Sequence, residues 1–218
     1  MKLQILYVPL ERIRTESETG FCMDGNIQHI IDIYHLEGPD LQDLFMTELN
    51  GPNYFPIYSF AEFFDDEQER LEELFRKQKI ESEFLAGSSK DKIYVKAVLT
   101  NPHQFNEYFP HLFWNGSNLN HLSLWSLKQD VFHVEEKEYE TQSVFKRTKN
   151  NRTRYVKPKW VANAVRVILP DNTTVFWVGY DGNFIQAFSN EQQFATIEDL
   201  QKSIPQNIEL VFGEYGWD

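Results

Sequence analysis

Three apolar runs close to the C-terminus, Trp160 to Leu169, Thr173 to Tyr180 and Asn183 to Phe188, are separated only by Pro170-Asp171-Asn172 and by Asp181-Gly182. Asp-Gly between apolar runs is the strongest short hairpin signal a sequence carries, because its φ > 0 turn matches the right-handed twist of the flanking strands. These runs leave room for little but a meander of antiparallel strands. Upstream, Val144 to Thr148 and Arg152 to Lys157 flank Lys149-Asn150-Asn151 and read as a further hairpin. A final strand is expected at Ile208 to Phe212.

The N-terminal half mixes both periods. Leu3 to Ile13 reads as a strand, and Ile27 to Leu36, rich in β-branched residues after Asp24-Gly25, reads as a hairpin return, although Ile27, Ile30, Ile31 and Tyr34 also fit a helical stripe. Gly38-Pro39-Asp40 opens a short helix through Leu49, stopped by Asn50-Gly51-Pro52. Ser59 and Glu62 have the spacing of a capping box, which predicts a helix from Ser59 to about Lys79 with acids in its first half and Arg76, Lys77 and Lys79 in its last turn. Ala86 to Ser89 is a loop, Ile93 to Leu99 a strand, and His103 to Leu127, with Pro110 inside, shows no clean period. A third helix is expected from Glu191 to Ser203, capped by Ser189 or Asn190 and closed by Pro205. The approach to Ser59 and the approach to Ser189 echo each other, and the shared grammar of strand, cap and helix explains this without duplication.

The expected fold is therefore α+β, a mainly antiparallel sheet with a C-terminal meander flanked by two or three helices. One domain over residues 1–218 is the simplest division, with 1–130 and 131–218 as sublobes. Hydrophobic residues make up 41% of the 218, enough for a sizeable core. No run approaches the ~18 consecutive apolar residues of a membrane span. Met1 to Pro9 has too short an apolar part, interrupted by Gln4, for a secretory leader, and Cys22 is the single cysteine. These features predict a cytoplasmic protein without disulfides or a thiolate zinc site.

Charge is the most informative surface property. The total is −12, but residues 146–159 hold seven basic residues and no acid, between flanks of −13 and −6. Two interaction surfaces follow. The first is acidic, formed by Asp65, Asp66, Glu69, Glu72 and Glu73 of the helix predicted from Ser59 with Glu135, Glu136 and Glu138. It suits a protein partner with a basic surface, as in an inhibitor or immunity-type protein that covers a cationic site. The alternative is anion binding, of nucleic acid or a phosphate ligand, by Lys146, Arg147, Lys149, Arg152, Arg154, Tyr155, Lys157 and Lys159, where basic side chains stand beside aromatics.

Catalytic motifs are missing: no Gly-x-Ser-x-Gly elbow, no phosphate loop and no dinucleotide fingerprint occur. His29, Asp32 and His35 lack metal-ligand spacing, and Cys22 with His29 has no specified geometry as a nucleophile pair. No cofactor or metal is expected. The third alternative is an enzyme with a carboxylate or histidine site between His103 and His133. Of the three, a non-enzymatic interaction protein is the leading expectation.

Overall fold

The computed structural model describes residues 1–12, 21–37, 41–43, 54–119, 121–140, 144–147, 153–156, 159–179 and 184–213. In chain order these form β1 (Lys2–Tyr7), β2 (Phe21–Gly25), β3 (His29–Glu37), helical residues 41–43 (α1) and β4 (Ile57–Phe64). Next come α2 (Gln68–Gln78), β5 (Glu81–Ala86), β6 (Lys92–Leu99), α3 (Pro102–Leu119), β7 (Ser123–Ser126) and β8 (Phe132–Glu140). The chain continues with β9 (Val144–Arg147), β10 (Thr153–Val156), β11 (Lys159–Leu169), β12 (Thr174–Val178), β13 (Phe184–Ser189), α4 (Ile197–Ser203) and β14 (Glu209–Phe212). The fold is α+β and mainly antiparallel, with a run of strands toward the C-terminus.

Nine strands form one sheet in the order β14-β1-β3-β13-β12-β7-β4-β6-β5, in which strands from both halves of the chain interleave. All its pairings are antiparallel except β1 with β14. A three-stranded sheet, β2-β11-β8, and a two-stranded ribbon, β9-β10, complete the described strands. The nine-stranded sheet is covered on both faces. One core gathers Ile57, Ala61, Phe63 and Val95 with Leu71 and Phe75 of α2, Phe105 and Phe109 of α3, and Leu200 of α4. The other gathers Phe60, Tyr94, Leu124 and Val175 with Phe132, Val165 and Val167 of the small sheet.

This double burial corrects the capping-box reading. Residues 57, 59, 61 and 63 point to the helical layer, while Phe60 points to the small sheet, so β4 runs straight through Ser59. The Ser59 hydroxyl donates across to the carbonyl of Ala97 at 3.2 Å, as a strand side chain would. A strand apolar on both faces loses the polar alternation that would have marked it. Helix α2 starts only at Gln68, after a 3₁₀ turn at Asp65–Glu67, and ends on Lys79 in the left-handed region with φ 55°.

Other expectations are refined in the same way. Residues 29–37 are a strand, antiparallel to β1, but the preceding β2 joins the small sheet and is parallel to β11. Gly25 ends β2 at φ +102°, and a Cβ there would lie 2.8 Å from the Leu169 carbonyl oxygen. β12 and β13 pair as the Asp-Gly signal predicts, whereas β11 leaves for the small sheet instead of pairing with β12. The segment without a period is mostly α3. Asn101 caps it, its Oδ1 accepting from the Gln104 amide at 3.0 Å, and Pro102 sits first, where a missing N–H costs nothing. Pro110 is tolerated inside at the loss of one ladder bond. The last helix is shorter than expected and is capped by Thr196, whose Oγ1 accepts from Asp199 N at 3.1 Å, while Ser189 ends β13 and Asn190 Oδ1 accepts from Thr173 N at 2.8 Å. Of the helix expected from residue 40, only 41–43 lie within the described residues. Among the described residues no helix is long and apolar enough to cross a membrane.

Candidate functional site

The acidic residues singled out from the sequence do not share one surface. Asp65, Asp66, Glu69, Glu72 and Glu73 are all exposed, on or just before α2, which packs on the helical face of the nine-stranded sheet. Glu135, Glu136 and Glu138 lie on β8, over the opposite face. Two of these three have cations of their own. Glu135 receives Arg166 Nε at 3.2 Å, the same guanidinium reaching Asp24 at 3.1 Å, and Glu138 pairs with Lys159. The Arg166 pairs are about half exposed and together hold the three strands of the small sheet in register.

Lys159 is thus partly neutralised within the chain. Lys146 and Arg147 stand on β9, Arg154 and Tyr155 on β10, with Lys146 directly opposite Arg154 in the ribbon's register. Lys149, Arg152 and Lys157 lie outside the described residues.

A groove not legible in the sequence borders β5, an outer strand of the large sheet that pairs only with β6 among the described residues. Its volume is about 200 Å³, and Glu81, Glu83, Asp130, Lys96, Gln129 and Phe132 are among its lining residues. Glu81, Ser82 and Glu83 are exposed. Lys96 Nζ reaches Glu83 at 3.4 Å, leaving Glu81 and Asp130 without an ion pair among the described residues. The nearest sequence signal was the alternation of acids in Glu81-Ser82-Glu83.

One group of buried polar residues forms a connected network. Glu62, on β4, accepts from Lys92 Nζ at 2.8 Å and from the Ser88 hydroxyl and amide. Asn115 Nδ2 donates to the Glu62 carbonyl at 2.7 Å and to Ser123 Oγ at 3.1 Å, so its Oδ1 is the acceptor facing His121 Nδ1 at 3.1 Å. His121 therefore carries its proton on Nδ1. Burial, helped by the Lys92 charge, holds its pKa below the ordinary imidazole value. This cluster ties α3, β4, β7 and the 87–91 loop together.

The catalytic alternatives gain no geometry. Cys22 is on β2 and His29 on β3, in different sheets, and burial raises the Cys22 thiol, which disfavours the thiolate a nucleophile needs. Among the described residues no group of three His, Cys, Asp or Glu side chains could hold a metal ion. His103 and His111 lie on α3, His121 in the network above, and His133 on β8, its Nε2 2.9 Å from the Asp130 carbonyl.

A second concavity is apolar. About 420 Å³ lies between the helical face of the sheet and the segment from Glu191 to Leu210, against Ile5, Ile33, Trp125, Phe176, Phe194 and Leu200. Lys128, Asn172, Glu191 and Gln193 are among its polar lining residues.

No known protein family matches this chain, and neither a curated protein nor a solved structure does.

Proposed function

We propose that this chain is a non-enzymatic interaction protein that receives an extended basic segment of a protein partner along β5, in the manner of an inhibitor that covers a cationic site. The observation that carries this reading is the groove across β4, β6 and β5, where Glu81, Glu83 and Asp130 meet a single lysine next to a strand that pairs only with β6 among the described residues. An open edge offers unpaired backbone donors and acceptors to an added strand, and the carboxylates select for Lys or Arg side chains in that strand. The exposed acids of α2, which packs on β5 through Phe75 and Phe84 at 5.9 Å between ring centroids, extend the negative field around that edge and favour fast, salt-sensitive association. The carboxylates of β8 contribute less, since Glu135 and Glu138 are already paired.

The test is direct binding of a labelled peptide of alternating lysine and valine, compared with its glutamate-valine counterpart, at low and high salt. The lysine peptide alone should bind, more weakly as salt rises, and the double substitution Glu81→Lys with Glu83→Lys should weaken it about tenfold or more. Equal binding of both peptides, or indifference to the double substitution, would remove this reading.

Anion binding by the ribbon is supported by one observation of its own. Lys146 and Arg154 are register partners in the β9–β10 ribbon, which gathers basic positions on one two-stranded element. Retention on heparin that Lys146→Ala with Arg154→Ala abolishes would favour this alternative over the acidic edge.

A further inference from the structure

The apolar cavity differs from the acidic groove in its position, its lining and the ligand it would take. It lies on the helical face of the sheet, with Ile5 of β1 and Ile33 of β3 on its floor and Phe194 and Leu200 opposite. Its volume, about 420 Å³, is within the range of small-molecule sites, which are typically apolar with a few polar groups that fix orientation. Those polar groups are asymmetric here. Both oxygens of the Glu191 carboxylate are occupied, Oε1 accepting from Thr174 Oγ1 at 2.8 Å and Oε2 from Gln193 Nε2 at 2.7 Å. Lys128 is exposed, and its ammonium makes no ion pair or side-chain hydrogen bond among the described residues; only its amide is engaged, donating to Ser126 Oγ at 3.2 Å. Glu191 keeps its charge, since both its donors are neutral, so the mouth carries one carboxylate and one ammonium, and of the two only the Lys128 side chain has no partner among the described residues.

We propose that this cavity binds a small amphipathic anion, a hydrocarbon body lying against Trp125, Phe176, Phe194 and Leu200 with an acidic head group at Lys128. Burial of the hydrocarbon supplies the affinity, and Lys128 sets the orientation and the preference for an acid over a neutral analogue. Ile204, half-buried on the cavity wall just past α4, is where an added side chain would enter the hydrocarbon space.

Calorimetric titration of the full chain with dodecanoate and with 1-dodecanol tests both parts. Dodecanoate should bind once per chain and more tightly than dodecanol. Lys128→Glu should weaken dodecanoate about fivefold and leave dodecanol unchanged, as expected for a partly exposed ion pair. Ile204→Trp should suppress both. If neither probe binds the unaltered protein, or if Ile204→Trp stays folded by circular dichroism and binds both as before, the cavity is not the site. If Ile204→Trp fails to fold, Lys128→Glu still decides: equal changes for acid and alcohol, or none, overturn the proposal.

Discussion

The side chain of Asn115 donates to the main-chain carbonyl of Glu62 at 2.7 Å, joining the helical layer to the strand whose Phe60 and Phe63 bury on opposite faces of the large sheet. Asn115 is 1% exposed, and the same amide satisfies Ser123 and His121. Asn115→Ala strands all three partners in the interior and should destabilise the protein by about 2–4 kcal/mol in urea denaturation. A loss below ~1 kcal/mol would show that water replaces the amide.

Glu62 and Lys92 form the most enclosed ion pair described, with side chains 9% and 24% exposed. Lys92→Ala leaves a buried carboxylate with only Ser88 to hold it and should cost about 3 kcal/mol. Adding Glu62→Gln to that variant should recover part of the loss, because the unpaired charge is removed. A double-mutant cycle in the same denaturant series measures the difference.

Burial lowers the pKa of His29, His111 and His121, with nearby Arg70 and Lys92 reinforcing the last two. The unfolded chain then takes up protons near the ordinary value of about 6.5 while the folded chain does not. Stability is full above that value and falls as the pH drops through it toward the lowered folded values. Melting temperatures followed from about pH 7.5 down to about pH 5 should decline, and His121→Gln, which keeps a donor for Asn115, should flatten the slope. Asp32, 3% exposed, is shifted upward by burial despite its 2.6 Å bond from Gln186, so its sign is opposite. Asp32→Asn should raise the melting temperature at neutral pH and lose that advantage in acid.

Gly116 lies within α3, where alanine is intrinsically better by about 1 kcal/mol. A Cβ there would stand 2.7 Å from Val178 Cβ and 3.0 Å from Ser123 Cβ, both on buried strands that cannot yield. Overpacking of this kind costs about 1–3 kcal/mol and should win. Gly116→Ala is expected to lower stability by about 1 kcal/mol, read as a lower denaturation midpoint.

Strands were legible where turn chemistry marked them. The β12–β13 pair follows from Asp181-Gly182, and the β9–β10 ribbon from Lys149-Asn150-Asn151, because those residues favour tight reversals wherever they fall. Ser59 misled because a capping box is a local pattern that a strand can contain by chance, and nothing local reveals that Phe60 and Phe63 bury on opposite faces. In α3 the apolar positions 105, 108, 109 and 112 do carry a helical spacing, but interleaved Asn, His and Pro obscured it, and the polar Gln104, Asn115 and Ser117 turn out to be buried. The acidic groove was missed because Glu81, Glu83 and Asp130 are neighbours only after β5 and the turn before β8 come together.

The sequence by itself determined the fold class, the lopsided charge and the positions of the reversals, since composition and turn preference act over a few residues and need no partner. Tertiary structure alone decided that β2 and β11 would leave their chain neighbours for a second sheet, that the two acidic clusters would face opposite ways, and that a cavity would open beneath α4. Strand pairing and cavity walls join residues far apart in the chain, and a pattern read along the backbone holds no information about which of several equally apolar strands will become neighbours.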